Sequence, residues 1–277
     1  MERIIDTDAS SPFGTFAPTG AQRALIGYAR LLQHSRATLK MALSVKKPLL
    51  SLTKAPIDHH AFGINIRFYP HDNFCERRVL TVPTRWDPAE RTALLSHLKP
   101  GGTFIDIGAN AGMYSLIMAQ AVGPSGTVLS FEPQKRVYDR LQFNKTTNGF
   151  DQMRLKFMGV SDQQDELILY QPTNNRGEAS MVRSFEGAEE TRVPVRPLLD
   201  VLKEENITQI DALKIDIEGH EDRAMAPFIS GADASLLPKV IVTENSQTDW
   251  AVNWIDLALE RGYRISHQSE KDTILER

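Results

Sequence analysis

Apolar residues recur at steps of three, four and seven over Leu25, Tyr28, Leu32, Leu39 and Leu43, which is the spacing of one helix face. In front of them Thr19-Gly20-Ala21-Gln22 has the form of a capping box, and Pro48 predicts an end near Lys47. Arg36 and Lys40 flank the stripe, so the apolar face is imperfect. The segment FGINIRF (62–68) then alternates strictly, as a half-buried strand does. His71-Asp72-Asn73 reads as its turn and VLTV (79–82) as its hairpin partner. Asp87-Pro88-Ala89-Glu90 predicts a helix start, with Asp as N-cap and Pro at the first position. Leu94, Leu95 and Leu98 supply that helix's buried face, and Pro100-Gly101-Gly102 closes it.

From Thr103 onward the pattern changes to strands and helices in alternation. Strands are predicted at 103–107, 127–131, 154–160, 211–216 and 239–243, and helices near 112–122, 134–147, 219–229 and 247–261. The strands read as continuous apolar runs, as a parallel sheet covered on both faces requires. Segments 262–266 and 273–275 predict an antiparallel pair at the end of the sheet. The fold class expected is α/β, a mostly parallel doubly wound sheet carrying an N-terminal helix and hairpin. Residues 1–84 form the expected extension and residues 85–277 the main domain.

Composition narrows the function classes. The chain has 277 residues with a formal net charge of −3, which argues against a dedicated nucleic-acid binder. Charge is uneven: residues 9–57 contain no Asp or Glu but seven Lys or Arg. A basic amphipathic helix of this kind suits either a protein face, on the domain or a second copy, or peripheral contact with an anionic membrane. Packing on protein is the expectation preferred. Cys75 is the only cysteine, so no intrachain disulfide forms, which fits a reducing compartment. It sits in no motif and reads as a plain thiol. No apolar run approaches the length of a spanning helix, and the N-terminus lacks a secretory pattern. A cytoplasmic protein is expected.

Three features fall at predicted strand ends, where open α/β sheets bind ligands. The first is FIDIGANAG (104–112), in which Asp106 precedes a turn containing Gly108, Asn110 and Gly112. The second is VLSFEP (128–133), where Glu132 ends the next strand. That offset suits a carboxylate accepting from ribose hydroxyls. A dinucleotide fingerprint would need glycine where Asn110 stands and a later third glycine than Gly112, so a nicotinamide-dependent oxidoreductase is the weaker alternative. A ligand without phosphate but with an ammonium, such as S-adenosylmethionine, fits better, with Asp106 near the ammonium. The third is LKIDIEGHE (213–221), an apolar strand running into Asp216, Glu218, His220 and Glu221. Such a cluster favours catalysis over a non-catalytic binding protein.

DIGANAG, SFEP and LKIDIEGHE, in this order and spacing, resemble the FkbM-type methyltransferases, over about residues 75–265. VRPLLD (195–200) is also similar to that family's approach to its third motif. The resemblance implies a Rossmann-like class I methyltransferase fold, S-adenosylmethionine as donor and a hydroxyl acceptor on a sugar, polyketide, glycolipid or other secondary metabolite. A hydroxyl is a weak nucleophile and needs a base. His220 is the first candidate and Asp216 the alternative. Asp216, Glu244 and Asn245 also resemble the oxygen ligands of magnesium-dependent catechol-type methyltransferases, so Mg²⁺ is a second expectation. Ser161 or Asp162 is the expected partner of the adenine. Asn144 and Asn148 lie where the family has asparagines, and helix structure explains them equally well. The polar segment 171–190 is a candidate lid.

Overall fold

In the computed structural model, which describes residues 7–172, 179–184 and 186–277, the Thr19 hydroxyl accepts from the Gln22 amide and the Gln22 side chain accepts from the Thr19 amide. This capping box opens α1 (Gly20–Leu32). The expected single helix to Lys47 is three: α1, α2 (Arg36–Ser44) and α3 (Lys46–Leu52). The break has a local cause. Ser35 caps α2 by accepting from the Ala37 amide, and Pro48 sits in the first turn of α3, where its missing N–H costs nothing.

The hairpin also differs from expectation. Strand β1 (Ile57–Ala61) pairs antiparallel with β2 (Ile64–Phe68) across Phe62-Gly63. The segment read as β2's partner belongs instead to α4 (Phe74–Thr81), because the Asn73 side chain accepts from the Glu76 amide and caps a helix there. A 3-10 turn (Pro83–Arg85) leads to α5 (Pro88–His97). Asp87 occupies the N-cap position of α5 but does not cap it. Its backbone is left-handed (φ 39°) and its carboxylate accepts from the Tyr114 hydroxyl at 3.1 Å.

The remaining elements alternate. They are β3 (Thr103–Ile107), α6 (Met113–Val122), β4 (Thr127–Phe131), α7 (Lys135–Asn148), β5 (Met153–Lys156), β6 (Gly159–Val160), β7 (Asp165–Gln171), β8 (Glu189–Arg196), α8 (Leu198–Glu204), β9 (Ala212–Ile215), α9 (Glu221–Gly231), β10 (Val240–Glu244), α10 (Trp254–Glu260), β11 (Arg264–Gln268) and β12 (Asp272–Glu276). The main sheet has seven strands in the order β11-β12-β10-β9-β3-β4-β5. Only β12 runs against the rest. This is the Rossmann-like methyltransferase architecture that the resemblance implies. The strand expected at 154–160 is divided: β5 ends the main sheet, and β6 joins β7 and β8 in a second, three-stranded sheet.

Adjacent residues of each central strand sort into two cores. Phe104, Val128, Ala212, Val240 and Ile274 face one cluster, with α5, α6, α7 and the N-terminal elements over it. Ile105, Leu129, Leu213, Ile241 and Leu275 face the other, under α8, α9 and α10. Side-chain alternation along a strand explains the division. The hairpin docks on α7 through two asparagines. Asn148 bridges both backbone groups of Asn65, and the Asn144 side chain accepts from the Arg67 amide while donating to the Ala111 carbonyl. Buried Arg67 pairs with Asp58 at 2.7 Å and donates to the carbonyls of Asp8, Ser11 and Pro12, fixing the leading segment.

Candidate active site

The carboxyl ends of β3, β4, β9 and β10 border a cavity of about 450 Å³. On one side lie the turn after β3, with Gly108, Ala109 and Asn110, and Phe131 at the end of β4, with Glu132 and Gln134 after it. Gly108 has φ 81°, and a Cβ there would stand 2.0 Å from the Asp216 carbonyl oxygen. The glycine is therefore required by the close approach of β3's turn to the end of β9. At Gly112, with φ 92°, a Cβ would stand 2.4 Å from Leu141 of α7.

Glu132 ties this side together. One carboxylate oxygen accepts from the Asn110 amide at 2.9 Å and the other from the Gln134 amide at 2.8 Å. Each oxygen keeps a second lone pair for a ligand on the cavity. Burial pushes its pKa up to about 7, against these two amide bonds, which pull it down. Asn110 adopts φ 52°, and its side-chain oxygen accepts from Asn73 and from the Ala111 amide. Asp106 is fully buried and does not border the cavity. One of its oxygens accepts from Ser115, and its Oδ1 has no hydrogen-bond partner among the described residues. Burial raises the Asp106 pKa, and Lys214 opposes that rise.

The cavity is also lined by Asp87, Tyr114, Lys214, Asp216, Glu218, Glu244 and Asp272. Lys214 Nζ lies 3.0 Å from Asp216 Oδ2 and 5.0 Å from the centre of the Tyr114 ring. Burial works against the Lys214 charge, but the Asp216 and Asp106 carboxylates outweigh it and raise its pKa. Burial, with the Asp216 charge beside it, pushes Glu244 up to about 7, and Asp272 rises to about 7 for the same two reasons. Half-buried Cys75 lines the wall nearby, its thiol pKa raised by burial.

The third motif separates into different roles. Asp216 and Glu218 reach the cavity. Glu221 accepts from the Ile217 and Gly219 amides and from the Trp250 ring nitrogen, so it fixes the turn. His220 borders a second hollow of about 320 Å³, with Ser161 and Asp162. Its Nε2 lies 3.0 Å from Ser161 Oγ, and burial lowers its pKa. Asp162 pairs with Arg223 at 2.9 Å.

Of the three expected metal ligands, Asp216 and Glu244 converge but Asn245 does not. Its amide nitrogen donates to Ser269 and its oxygen accepts from Thr273. Among the described residues, Asp216, Glu218 and Glu244 bring carboxylate oxygens within 4.8 Å of one another. Two of these already have cations beside them, Lys214 at Asp216 and Arg183 at 3.7 Å from Glu218.

Part of the candidate lid, residues 173–178 and 185, lies outside the described residues. The described part forms cavity wall through Ala179, Met181 and Arg183, and Ser180 donates to the Glu218 carbonyl. Lys214, Tyr114, Asp87 and Asp272 line the cavity without a site role in the sequence pattern, where Asp87 stands only as a helix cap. Lys214 carried one usable signal, a lone charge inside an apolar strand. The other three come from distant segments that only the fold brings together.

A parallel sheet of this order, with a glycine turn, an acid closing the next strand and a charged third motif around one cavity, defines a methyltransferase. The sequence model described as the methyltransferase FkbM domain matches residues 106–265, and the chain belongs to that family. It is 27% identical over 208 residues to the 31-O-demethyl-FK506 methyltransferase FkbM of Streptomyces tacrolimicus, covering 64% of this chain and 77% of that one. It is 28% identical over 179 residues to the AMB antimetabolite synthetase AmbE of Pseudomonas aeruginosa, covering 52% of this chain but 8% of that one. Among solved structures it is similar to the methyltransferase FkbM of Methylobacillus flagellatus KT, at 18% identity and a TM-score of 0.41, covering 74% of this chain and 54% of that one. No helix among the described residues is long and apolar enough to cross a membrane.

Proposed function

We propose that the protein transfers a methyl group from S-adenosylmethionine to a hydroxyl of a sugar, polyketide, glycolipid or other small acceptor. The observation that carries this reading is Glu132, whose carboxylate is held by two backbone amides with lone pairs left over on the cavity. Vicinal ribose hydroxyls are two donors and match an acceptor-only group. S-Adenosylmethionine supplies an electrophilic methyl carbon on a sulfonium. The backbone of residues 108–110 supports the donor beside Glu132. Asp106 does not border the cavity, so its link to the ammonium end runs through the backbone of the turn or intervening water. The name of the Streptomyces relative, which specifies an O-demethyl acceptor, supports oxygen as the methylated atom.

At the acceptor end, the Asp216 and Glu244 carboxylates orient the hydroxyl and take its proton. Glu244, which burial and the Asp216 charge raise to about 7, is suited to take that proton at neutral pH, with Asp216 beside it. His220 is bound to Ser161 in the other hollow, so the geometry favours Asp216 of the two candidate bases. A metal-free site is favoured because Lys214 already pairs with Asp216 and Arg183, bound to Asp249, lies 3.7 Å from Glu218. Catalysis is assigned to residues 85–277, and residues 1–84 contribute one cavity wall through Phe74, Cys75 and Arg78. The test is transfer of labelled methyl to a panel of glycosides, macrolides and glycolipids in the presence of chelator. Label in a hydroxyl acceptor is expected. Label confined to nitrogen acceptors, or transfer abolished by chelator and restored by magnesium, would overturn the reading.

A further inference from the structure

The outward faces of α1, α2 and α3 carry apolar side chains at helical spacing. On α1 these are Ala24, Tyr28 and Leu31, on α2 Ala37 and Met41, and on α3 Pro48 and Leu52, with Leu43 beside them. Leu31 is 75% exposed, and Tyr28, Met41, Leu43 and Leu52 are each close to half exposed. The inward faces are already satisfied: Ile26 and Leu49 enter the main core, while Ala29, Ala42 and Val45 pack with Val82. A second apolar face is therefore presented to the surroundings, which a monomeric soluble surface ordinarily avoids.

Charge identifies the occupant. Arg36, Lys40, Lys46 and Lys47 are exposed among these side chains, and residues 9–57 hold no carboxylate side chain to offset them. A two-fold dimer would set the patch against itself, bringing these cations against their own copies at a cost. An anionic bilayer satisfies both features, because its headgroups meet the cations and its acyl boundary takes the leucines.

We propose that α1, α2 and α3 dock this protein on an anionic membrane surface. Leu31, Met41, Leu43 and Leu52 enter the headgroup boundary, and Arg36, Lys40, Lys46 and Lys47 meet lipid charge. The docked layer continues into the cavity wall. Arg30 Nε donates to the Leu80 carbonyl of α4 at 3.0 Å, and α4 carries the cavity residues Phe74, Cys75 and Arg78. The inference goes beyond methyl transfer and does not depend on it.

The test is co-sedimentation of the full chain with phosphatidylglycerol–phosphatidylcholine vesicles and with phosphatidylcholine alone, at low and high salt. Binding to the anionic vesicles alone, weakened by salt, is expected. Each removed charge should lower partition about five-fold, so Lys46→Gln with Lys47→Gln should lower it about 25-fold. Leu31→Asp with Met41→Asp should abolish it. Calorimetry with S-adenosylmethionine on the same variants reports separately on the fold and the proposed activity. No sedimentation, or equal sedimentation with both vesicle types, would overturn the proposal. So would a concentration-dependent dimer that Leu31→Asp dissolves in a protein that ignores vesicles, which would assign the patch to a second copy.

Discussion

Replacing Glu132 with glutamine keeps the side-chain shape but removes the charge and one acceptor oxygen. In the structure the two oxygens accept from Asn110 and Gln134 at 2.9 and 2.8 Å, which leaves one further lone pair on each for the ribose. A hydrogen bond to a charged group is worth about 1.5–3 kcal/mol, so Glu132→Gln should weaken S-adenosylmethionine binding about 13- to 160-fold. The pH dependence provides an independent check. Burial holds the Glu132 pKa at about 7, and the hydroxyl donors favour the ionised form. Below that pH the proton must leave before the ribose binds, so the wild-type dissociation constant should rise as pH falls, approaching ten-fold per pH unit. The variant should lose that dependence. Isothermal titration between pH 5.5 and 8.5 measures both effects, with thermal melts confirming that the variant is folded. Unchanged affinity in a folded Glu132→Gln protein, or wild-type affinity indifferent to pH, would refute the reasoning.

In the cofactor-free protein, Glu132, Glu244 and Asp272 are each raised to about 7. The folded state therefore binds more protons than the unfolded one between about pH 4.5 and 7. The stability this contributes is present below the unfolded pKa and lost as pH rises through about 7, so scanning calorimetry should find Tm falling from pH 5 to pH 8. Gly108→Ala puts a Cβ 2.0 Å from the Asp216 carbonyl at φ 81°, and denaturant unfolding should show a loss of about 2–4 kcal/mol. Asp216→Asn should cost about 10²–10⁴ in turnover with cofactor affinity kept, and a near-normal rate would remove it as base. His220→Ala breaks a buried bond to Ser161 and should cost about 1–3 kcal/mol of stability, while single-turnover rates change less than ten-fold.

The sheet was legible because its strands are apolar on both faces, a pattern that Phe104 and Ile105 show by entering opposite cores. The placement of Glu132 and the glycine turn on the cavity was legible because each follows directly on one strand end. The hairpin partner was misread because VLTV (79–82) has strand composition, while the decisive signal was the Asn73 cap. Position alone makes Asp87 a helix cap, whereas its left-handed backbone sends the carboxylate to Tyr114. His220 and Asp216 are four residues apart in the same motif, yet the turn that Glu221 holds sends them to different hollows. Sequence spacing carries no information about that divergence. Asn245 stands next to Glu244, and its pairing with Thr273 and Ser269 depends on strands that meet only in the folded sheet.

The cavity beside Glu132 is proposed to hold S-adenosylmethionine and not a dinucleotide. Titration of the wild-type protein with each cofactor at pH 8 tests it most directly. Saturable one-to-one binding of S-adenosylmethionine and of its demethylated product is expected, with no measurable heat from NAD or NADP. Binding of a nicotinamide dinucleotide by a protein that does not bind S-adenosylmethionine would contradict it.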